Sequence, residues 1–259
     1  MIPKDPKGLS QQRFGQYANS YTNSPRHFKG AELSHLIELA APKPDWLALD
    51  VATGGGATAL TFAPHVKQVI ATDLTPKMLE AARARIAPEA ANILFSDGDA
   101  ENLPFVENSF DLITCRIAPH HFPEPFRFVQ EVARCLKPGG VFILQDLTVP
   151  DDEQAARFIN SFERLRDPSH ARMYAEYEWR GMCLDAELAV EHTEIQHHAA
   201  SMIEWAKMQG CDDATIQHLQ ILMVQAPAAV RDWLNICCAG TEDASFDHVY
   251  IILRAVKPA

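Results

Sequence analysis

Three consecutive glycines directly after a short apolar stretch constrain the fold of this chain more than any other feature. The apolar stretch 47–51 carries Asp50 near its end, the glycines occupy 54–56, and the next residues have the composition of a helix. This order predicts a strand, a tight turn and a helix N-terminus. Glycine lets the backbone adopt positive φ and approach a ligand closely, and the first turn of a helix offers unpaired N–H donors. The segment therefore predicts a site for a nucleotide-like cofactor.

The spacing of this turn favours S-adenosyl-L-methionine over a dinucleotide. The dinucleotide fingerprint G-x-G-x-x-G directs helix amides at a pyrophosphate, and here Ala57 and Ala59 occupy the later places of the motif. The negative charge of Asp50 opposes a pyrophosphate, whereas it suits a ligand that carries an ammonium and a sulfonium group. A helix-capping aspartate beside an ordinary glycine turn is the alternative interpretation.

Two further carboxylates follow the next two predicted strands. Asp73 ends a β-branched run about 20 residues after the glycine turn, where an acidic side chain can accept hydrogen bonds from ribose hydroxyls. Thr75 and Pro76 then form a favourable start for a helix. Asp99 follows the third predicted strand and can accept a hydrogen bond from an adenine amino group. Three acids at successive strand ends are a more specific signal than any one of them.

These motifs resemble those of the class I S-adenosylmethionine-dependent methyltransferases. The resemblance is closest to the branch that includes the ubiquinone/menaquinone C-methyltransferases and many small-molecule methyltransferases. It is carried by LALDVATGGGATAL, ATDLTPKML, GDAENLPF, SFDLITCRIAPHHF and EVARCLKPGGVFIL at 47–60, 71–79, 98–105, 109–122 and 131–144.

The resemblance implies an α/β, doubly wound, mostly parallel seven-stranded sheet of the Rossmann-like methyltransferase type, with helical cap insertions. It also implies S-adenosyl-L-methionine as the cofactor and S-adenosyl-L-homocysteine as the product. The residues expected to bind the cofactor are Asp50, Ala52, Gly54, Gly56, Asp73, Leu74, Asp99, Ala100 and Glu101. Gly55 departs from the family pattern, in which Thr, Ser or Cys is common, and should loosen the turn.

Composition and charge narrow the classes of partner. A chain of 259 residues can form one domain over 1–259. The net charge of −11 argues against a nucleic-acid partner, which requires a basic surface. No apolar run reaches membrane-spanning length, and residues 1–4 do not begin a signal peptide. The six cysteines show no C-x-x-C spacing, so we expect free thiols in a reducing cytoplasm.

Strand and helix patterns alternate along the chain, which favours a parallel sheet with helices on both faces. The predicted strands are 46–51, 68–72, 92–96, 109–115, 140–146, 189–197 and 246–254. The predicted helices are 57–64, 76–86, 124–136 and 176–187. In such sheets ligands bind beyond the carboxyl ends of the strands.

Three segments outside this pattern are predicted to lie on the substrate side. Residues 10–40 are predicted to form a helical lid, and 150–175 and 201–236 to form helical insertions. Within the lid, the predicted substrate contacts are Tyr17, Tyr21 and His27. Plain packing is the alternative for most of the aromatic residues. We interpret the basic side chains of the second segment as a charged helix face; they are Arg164, Arg166, His170 and Arg172.

The loop after the fourth predicted strand holds the candidate catalytic residues. His120 or His121 is predicted to take a proton from the methyl acceptor or to orient it. The alternative is that one of the two is a capping or core residue. Arg116 is predicted to bind the cofactor carboxylate or an anionic substrate. Asp146 is a candidate substrate contact, with a turn-forming role before a proline as its alternative.

No metal site is predicted, because no other residues complete a ligand set around His192, His197 and His198. There is neither an Asn-Pro-Pro-Tyr-like segment nor a Pro-Cys nucleophile, which argues against nucleobase methylation. The expected function is therefore in-line methyl transfer to a small-molecule acceptor at carbon, oxygen or nitrogen. A cofactor-binding protein without transfer activity and a nicotinamide-dependent oxidoreductase are the alternatives.

Overall fold

A seven-stranded sheet forms the centre of the protein in a computed structural model, which describes residues 5–22 and 31–259. The strands are β1 (Leu47–Val51), β2 (Gln68–Asp73), β3 (Ile93–Asp97), β4 (Phe110–Arg116), β5 (Leu136–Leu147), β6 (Ala189–Ser201) and β7 (Ser245–Val256). Their order across the sheet is β3-β2-β1-β4-β5-β7-β6. Strand β7 is antiparallel to both of its neighbours, and the other pairs are parallel. The predicted mostly parallel seven-stranded α/β sheet is confirmed.

Helices cover both faces of the sheet and one end of it. They are α1 (Pro6–Thr22), α2 (Ala31–Ala40), α3 (Ala57–Phe62), α4 (Pro76–Ile86), α5 (Pro125–Cys135), α6 (Glu153–Arg166), α7 (Glu176–Asp185), α8 (Met202–Met208), α9 (Asp213–Val224) and α10 (Ala228–Trp233). Short 3₁₀ turns occupy Ala63–His65 and Pro119–His121. Helices α4 and α5 both begin at a proline, which has no N–H to leave unpaired at a helix N-terminus.

Two strand boundaries differ from prediction because pairing across the sheet fixes them. Strand β5 begins at Leu136, which pairs with Phe110, and the register then jumps to the pair Leu112–Val141. Strand β6 continues to Ser201 because it pairs with β7 as far as Ser245. Neither the bulge nor the long antiparallel pairing leaves a signature in local sequence.

The core has three parts, and burial of their apolar side chains is the main source of stability. One lies between the sheet and helices α5 and α7, around Phe128 and Trp179. A second lies on the opposite face under α2, α3 and α4, around Leu36 and Phe62. The third, around Trp205, joins α6, α8, α9 and α10 at one end of the sheet. This third cluster holds the predicted insertions against the strand ends.

Within the predicted lid 10–40, the two described helices lie in different places. Helix α1 reaches the carboxyl ends of the strands, whereas α2 packs into the sheet core through Leu33, Leu36 and Ala40. His27 lies outside the described residues, as do the side chains of Tyr17 and Tyr21. Apolar spacing in α2 is therefore that of a core helix.

All six cysteines are free thiols. Among residues 5–22 and 31–259, every helix is too short or too polar to span a bilayer.

Candidate active site

An open cleft of about 1130 Å³ lies at the carboxyl ends of β1, β2 and β4. The predicted residues that line it are Asp50, Ala52, Gly54, Asp73, Leu74, Asp99, Ala100, Glu101, Arg116 and His121. Helix α1 also lines the cleft with Lys7, Ser10 and Phe14. Ser10 and Phe14 lie in the segment 10–40 predicted to cover the cofactor, whereas Lys7 precedes that segment and was missed, because no motif marks it.

Asp50 is a buried carboxylate at the end of β1, with only 2% of its surface exposed. Its two oxygens accept hydrogen bonds from Thr53 Oγ1 at 2.6 Å and Thr114 Oγ1 at 2.7 Å. Burial raises the pKa of Asp50 to about 6, and the two hydroxyl groups and the charge of Arg116 oppose that rise. The two hydrogen bonds hold the Asp50 side chain in one orientation at the cleft wall. They and Arg116 offset only part of the effect of burying its negative charge.

Asp73, at the end of β2, organises the glycine turn. Its Oδ2 accepts the Gly54 N–H at 2.9 Å, and its Oδ1 accepts the Thr75 N–H at 2.8 Å. Burial raises the pKa of Asp73, while these backbone hydrogen bonds oppose the rise. Each carboxylate oxygen retains further acceptor capacity toward the cleft.

Helix α1 closes the third wall through an ion pair. Lys7 Nζ lies 2.7 Å from Asp99 Oδ2 and 2.6 Å from Glu101 Oε2. The Oε1 atom of Glu101 also accepts the Glu124 N–H at 2.7 Å. Asp99, predicted for the adenine end, and Glu101, predicted as a further cofactor contact, are thus both held by residues outside the motif.

Gly56 has a different role from the predicted cofactor contact. It does not line the cleft; its φ of 83° places it in the left-handed region at the start of α3. A Cβ at this position would collide with Cδ1 of Ile86 on α4. Glycine is required here so that two helices can pack closely.

Replacing Gly56 by alanine should therefore destabilise the fold by roughly 2 to 4 kcal/mol, because positive φ and steric overlap both oppose a side chain. Urea unfolding measures this change. Gly181→Ala is the matched control: Gly181 lies in helix α7, a Cβ added there would have no neighbour within 4 Å, and the change should stabilise by roughly 0.5 to 1 kcal/mol. Equal effects of the two substitutions would contradict this role.

A second cavity of about 850 Å³ adjoins the first. Three residues line both cavities: Arg116, the last residue of β4, and Ile117 and His121 in the loop after it. Ile117 has φ of 53°, an uncommon conformation for a β-branched residue, and its N–H donates to the Gln145 carbonyl at 2.7 Å. Backbone strain of this kind clusters at functional sites. The boundary between the cavities is therefore the point where two ligands would meet.

His120 and Asp146 form a buried pair beside this boundary. His120 Nδ1 lies 2.6 Å from Asp146 Oδ1, and only 6% and 1% of these residues are exposed. Burial alone lowers the pKa of His120, but the charge of Asp146 and its hydrogen bond outweigh burial and raise it. Asp146 therefore fixes the orientation of the His120 ring and stabilises its protonated form. This differs from the predicted direct substrate contact, because Asp146 is buried and lines neither cavity.

His121 has the opposite electrostatic character. Its Nδ1 lies 3.0 Å from the Ser169 carbonyl oxygen, which can only accept, so Nδ1 carries the proton. Burial, followed by the charge of His120, lowers its pKa to about 3. The two rings lie 4.2 Å apart, on the 3₁₀ turn Pro119–His121. His121 is thus a neutral ring whose Nε2 is an acceptor.

The basic residues interpreted as a charged helix face divide into two groups. Arg166 and His170 line the second cavity, whereas Arg164 and Arg172 do not. His170 Nε2 bonds to Asn160 Oδ1 at 2.9 Å, and burial lowers the pKa of His170 to about 2. The insertion that carries them folds back on the sheet, which a helical charge pattern does not reveal. Within the described part of the chain, no His, Cys, Asp or Glu cluster is arranged to hold a metal.

The pair His120–Asp146 should make stability depend on pH. The pKa of His120 in the folded protein lies above its ordinary value of 6.5. Its contribution is therefore fully present below pH 6.5 and is lost as pH rises through the folded pKa. We expect Asp146→Asn to lower the melting temperature more at pH 6 than at pH 9. In a His120→Gln background the same substitution should show no such pH dependence, and an equal loss at both pH values in the parent would contradict the assignment.

Comparisons with known proteins agree on one family. The sequence profile of a methyltransferase domain family matches residues 49–144. The uncharacterized methyltransferase YcgJ of Bacillus subtilis is 37% identical over 198 residues, covering 76% of this chain and 78% of that protein. The ubiquinone/menaquinone biosynthesis C-methyltransferase UbiE of Shewanella frigidimarina is 31% identical over 124 residues, covering 46% and 49% of the two chains. A crystal structure from Bacillus halodurans C-125 gives a TM-score of 0.85 at 35% identity, covering 89% of this chain and 100% of that one.

Proposed function

The chain belongs to the methyltransferase domain family, and on that premise we propose that it transfers a methyl group from S-adenosyl-L-methionine to a small-molecule acceptor. The observation that carries the proposal is the pair of joined cavities. The first is lined by the glycine turn and the acids at three strand ends. The second is lined by His120, whose Nδ1 is held by Asp146.

The first cleft suits this cofactor chemically. Asp73 and Asp99 would hold the ribose hydroxyls and the adenine amino group, and Asp50 suits the cationic methionyl end. The hydroxyl of Ser10 supports the fit as well: it is buried beside the cleft, and no described residue forms a hydrogen bond with it. Arg116, at the inner end of the cleft, would pair with a carboxylate. When bound, this cofactor supplies an electrophilic methyl group on a sulfonium.

The second cavity is the proposed acceptor site. Because a sulfonium is already a strong electrophile, the protein has mainly to align the acceptor with it and to remove a proton where the acceptor carries one. His120 is the proposed base: Asp146 holds Nδ1, so Nε2 is the nitrogen left to take a proton. Asp146 then stabilises the imidazolium that forms. The neutral Nε2 of His121 is proposed to orient the acceptor at the boundary.

The wider assignments follow from charge and redox state. The net charge of −11 supports a small molecule rather than a nucleic acid as the acceptor. The six free thiols support a reducing compartment, and we propose the cytoplasm.

Thermal unfolding with added ligands tests the cofactor. S-adenosylhomocysteine at about 100 times its dissociation constant should stabilise the protein by about 2.7 kcal/mol, and NADH should not. Stabilisation by NADH alone would identify an oxidoreductase instead.

Transfer of tritiated methyl groups to a panel of hydroxyl, amine and carbon acceptors tests the reaction. Binding without transfer to any member would identify a cofactor-binding protein that does not methylate.

A further inference from the structure

A carboxyl group without a partner faces the second cavity. Glu163, on α6, is only 6% exposed, and its side chain lines this cavity. Among the residues that the structure describes, none donates a hydrogen bond to this carboxyl group or forms an ion pair with it. A buried polar group in this state costs stability, so its presence calls for a ligand that completes it.

The other acids of the cavity are already satisfied. Glu32 lies 3.0 Å from His198 Nδ1. Asp167 accepts the Ser169 hydroxyl at 2.6 Å and lies 3.1 Å from Arg13 Nε. Glu163 is thus distinguished from its neighbours by the lack of a partner, not by burial.

The charges around Glu163 select the kind of donor that it would bind. Burial raises the pKa of Glu163 and the charge of Asp167 adds to the rise, whereas the charges of Arg166 and His120 oppose it. Arg116 and Arg166 line the same cavity and supply positive charge there. The positive charge of the two arginines would repel an ammonium group on the acceptor. A hydroxyl group can donate a hydrogen bond to Glu163 without carrying a charge. The guanidinium of Arg166 is itself held, since its Nε and one terminal nitrogen donate to the Trp205 carbonyl at 3.2 and 3.1 Å.

We infer that Glu163 determines acceptor specificity by binding a hydroxyl group, and that the acceptor is a compact hydroxyl compound that carries a second, reacting hydroxyl at His120. This inference rests on the proposed function. The reacting O–H gives its proton to Nε2 of His120 and its oxygen forms the new C–O bond. The C–S bond breaks, and its electron pair stays on sulfur, which becomes a neutral thioether.

The stability of the free protein provides the first test, without any acceptor. Glu163→Leu should raise the melting temperature by about 2 to 4 °C, because it removes a buried group that lacks a partner. Asp167→Asn is the matched control and should lower it, because that carboxylate has partners. A lower melting temperature for Glu163→Leu would show that Glu163 is structural and would overturn the inference.

The second test compares acceptors. Catechol, other dihydroxybenzenes and linear polyols should be methylated, and their amine counterparts should not. Glu163→Leu should raise KM for the best hydroxyl acceptor at least 10-fold, and Glu163→Gln, which keeps an acceptor oxygen, should raise it less. Preference for amines, no turnover of any hydroxyl compound, or an unchanged KM in both variants would each overturn the inference. Binding of S-adenosylhomocysteine, measured alongside, separates these results from failure of the proposed function, because Glu163 does not line the cofactor cleft.

Discussion

Replacement of His120 by glutamine should reduce the single-turnover rate of methyl transfer by about 100- to 10,000-fold, the usual contribution of a positioned base. Glutamine retains a polar side chain of similar reach but cannot take a proton. Affinity for S-adenosylhomocysteine should stay within about twofold, because His120 lines the second cavity and not the cofactor cleft. Rapid-quench measurements with the best acceptor of the panel give the rate, and calorimetry gives the affinity.

His121→Gln is the control for this prediction, since it changes the adjacent imidazole. The pKa of His121 is lowered to about 3, so its ring is a poor base, and the rate should fall much less than in His120→Gln. Unchanged rates in both variants would contradict the proposal that a histidine acts as the base.

Asp146→Asn should move the acid limb of the pH–rate profile to lower pH, because the Asp146 carboxylate raises the pKa of His120.

Replacement of Asp73 by alanine should raise the dissociation constant for S-adenosylhomocysteine by about 100-fold or more, equivalent to about 2.7 kcal/mol. The substitution removes the proposed ribose contact and releases the Gly54 and Thr75 amides that shape the turn. Each charge-assisted hydrogen bond of this kind is worth roughly 1.5 to 3 kcal/mol. Isothermal titration calorimetry measures the change.

Asp97 offers a matched control for this experiment. It pairs in register with Asp73 at the end of the neighbouring strand β3, but it is exposed and does not line the cleft. Asp97→Ala should leave affinity unchanged. An equal loss in both variants would point to a general electrostatic effect, and no loss in Asp73→Ala would contradict the proposed ribose contact.

Local sequence was sufficient to predict which residues at the ends of β1 and β2 line the first cleft. Asp50 and Asp73 follow short apolar strands, and parallel pairing of β1 with β2 brings their ends together without any long insertion. The glycine turn is also local, although its third glycine supports helix packing rather than the cleft.

The acceptor half could not be predicted in the same way. The contact of Asp146 with His120 depends on the register of β4 against β5, which is set by a bulge. Glu163 lies beside the cavity because α6 packs on the insertions through Ile159 and Phe162. Strand register and the packing of α6 both depend on residues far apart in the sequence. From its own sequence, the helix that carries Glu163 and Arg166 therefore resembles any charged surface helix.

The central claim is that the cofactor occupies the first cleft with its sulfur facing the second cavity. A crystal structure with S-adenosylhomocysteine bound would test this claim most directly. We expect the ribose hydroxyls on Asp73 and the sulfur at the boundary formed by Arg116, Ile117 and His121, with open access to Nε2 of His120. Adenosine bound elsewhere, or a sulfur directed away from the second cavity, would contradict the account.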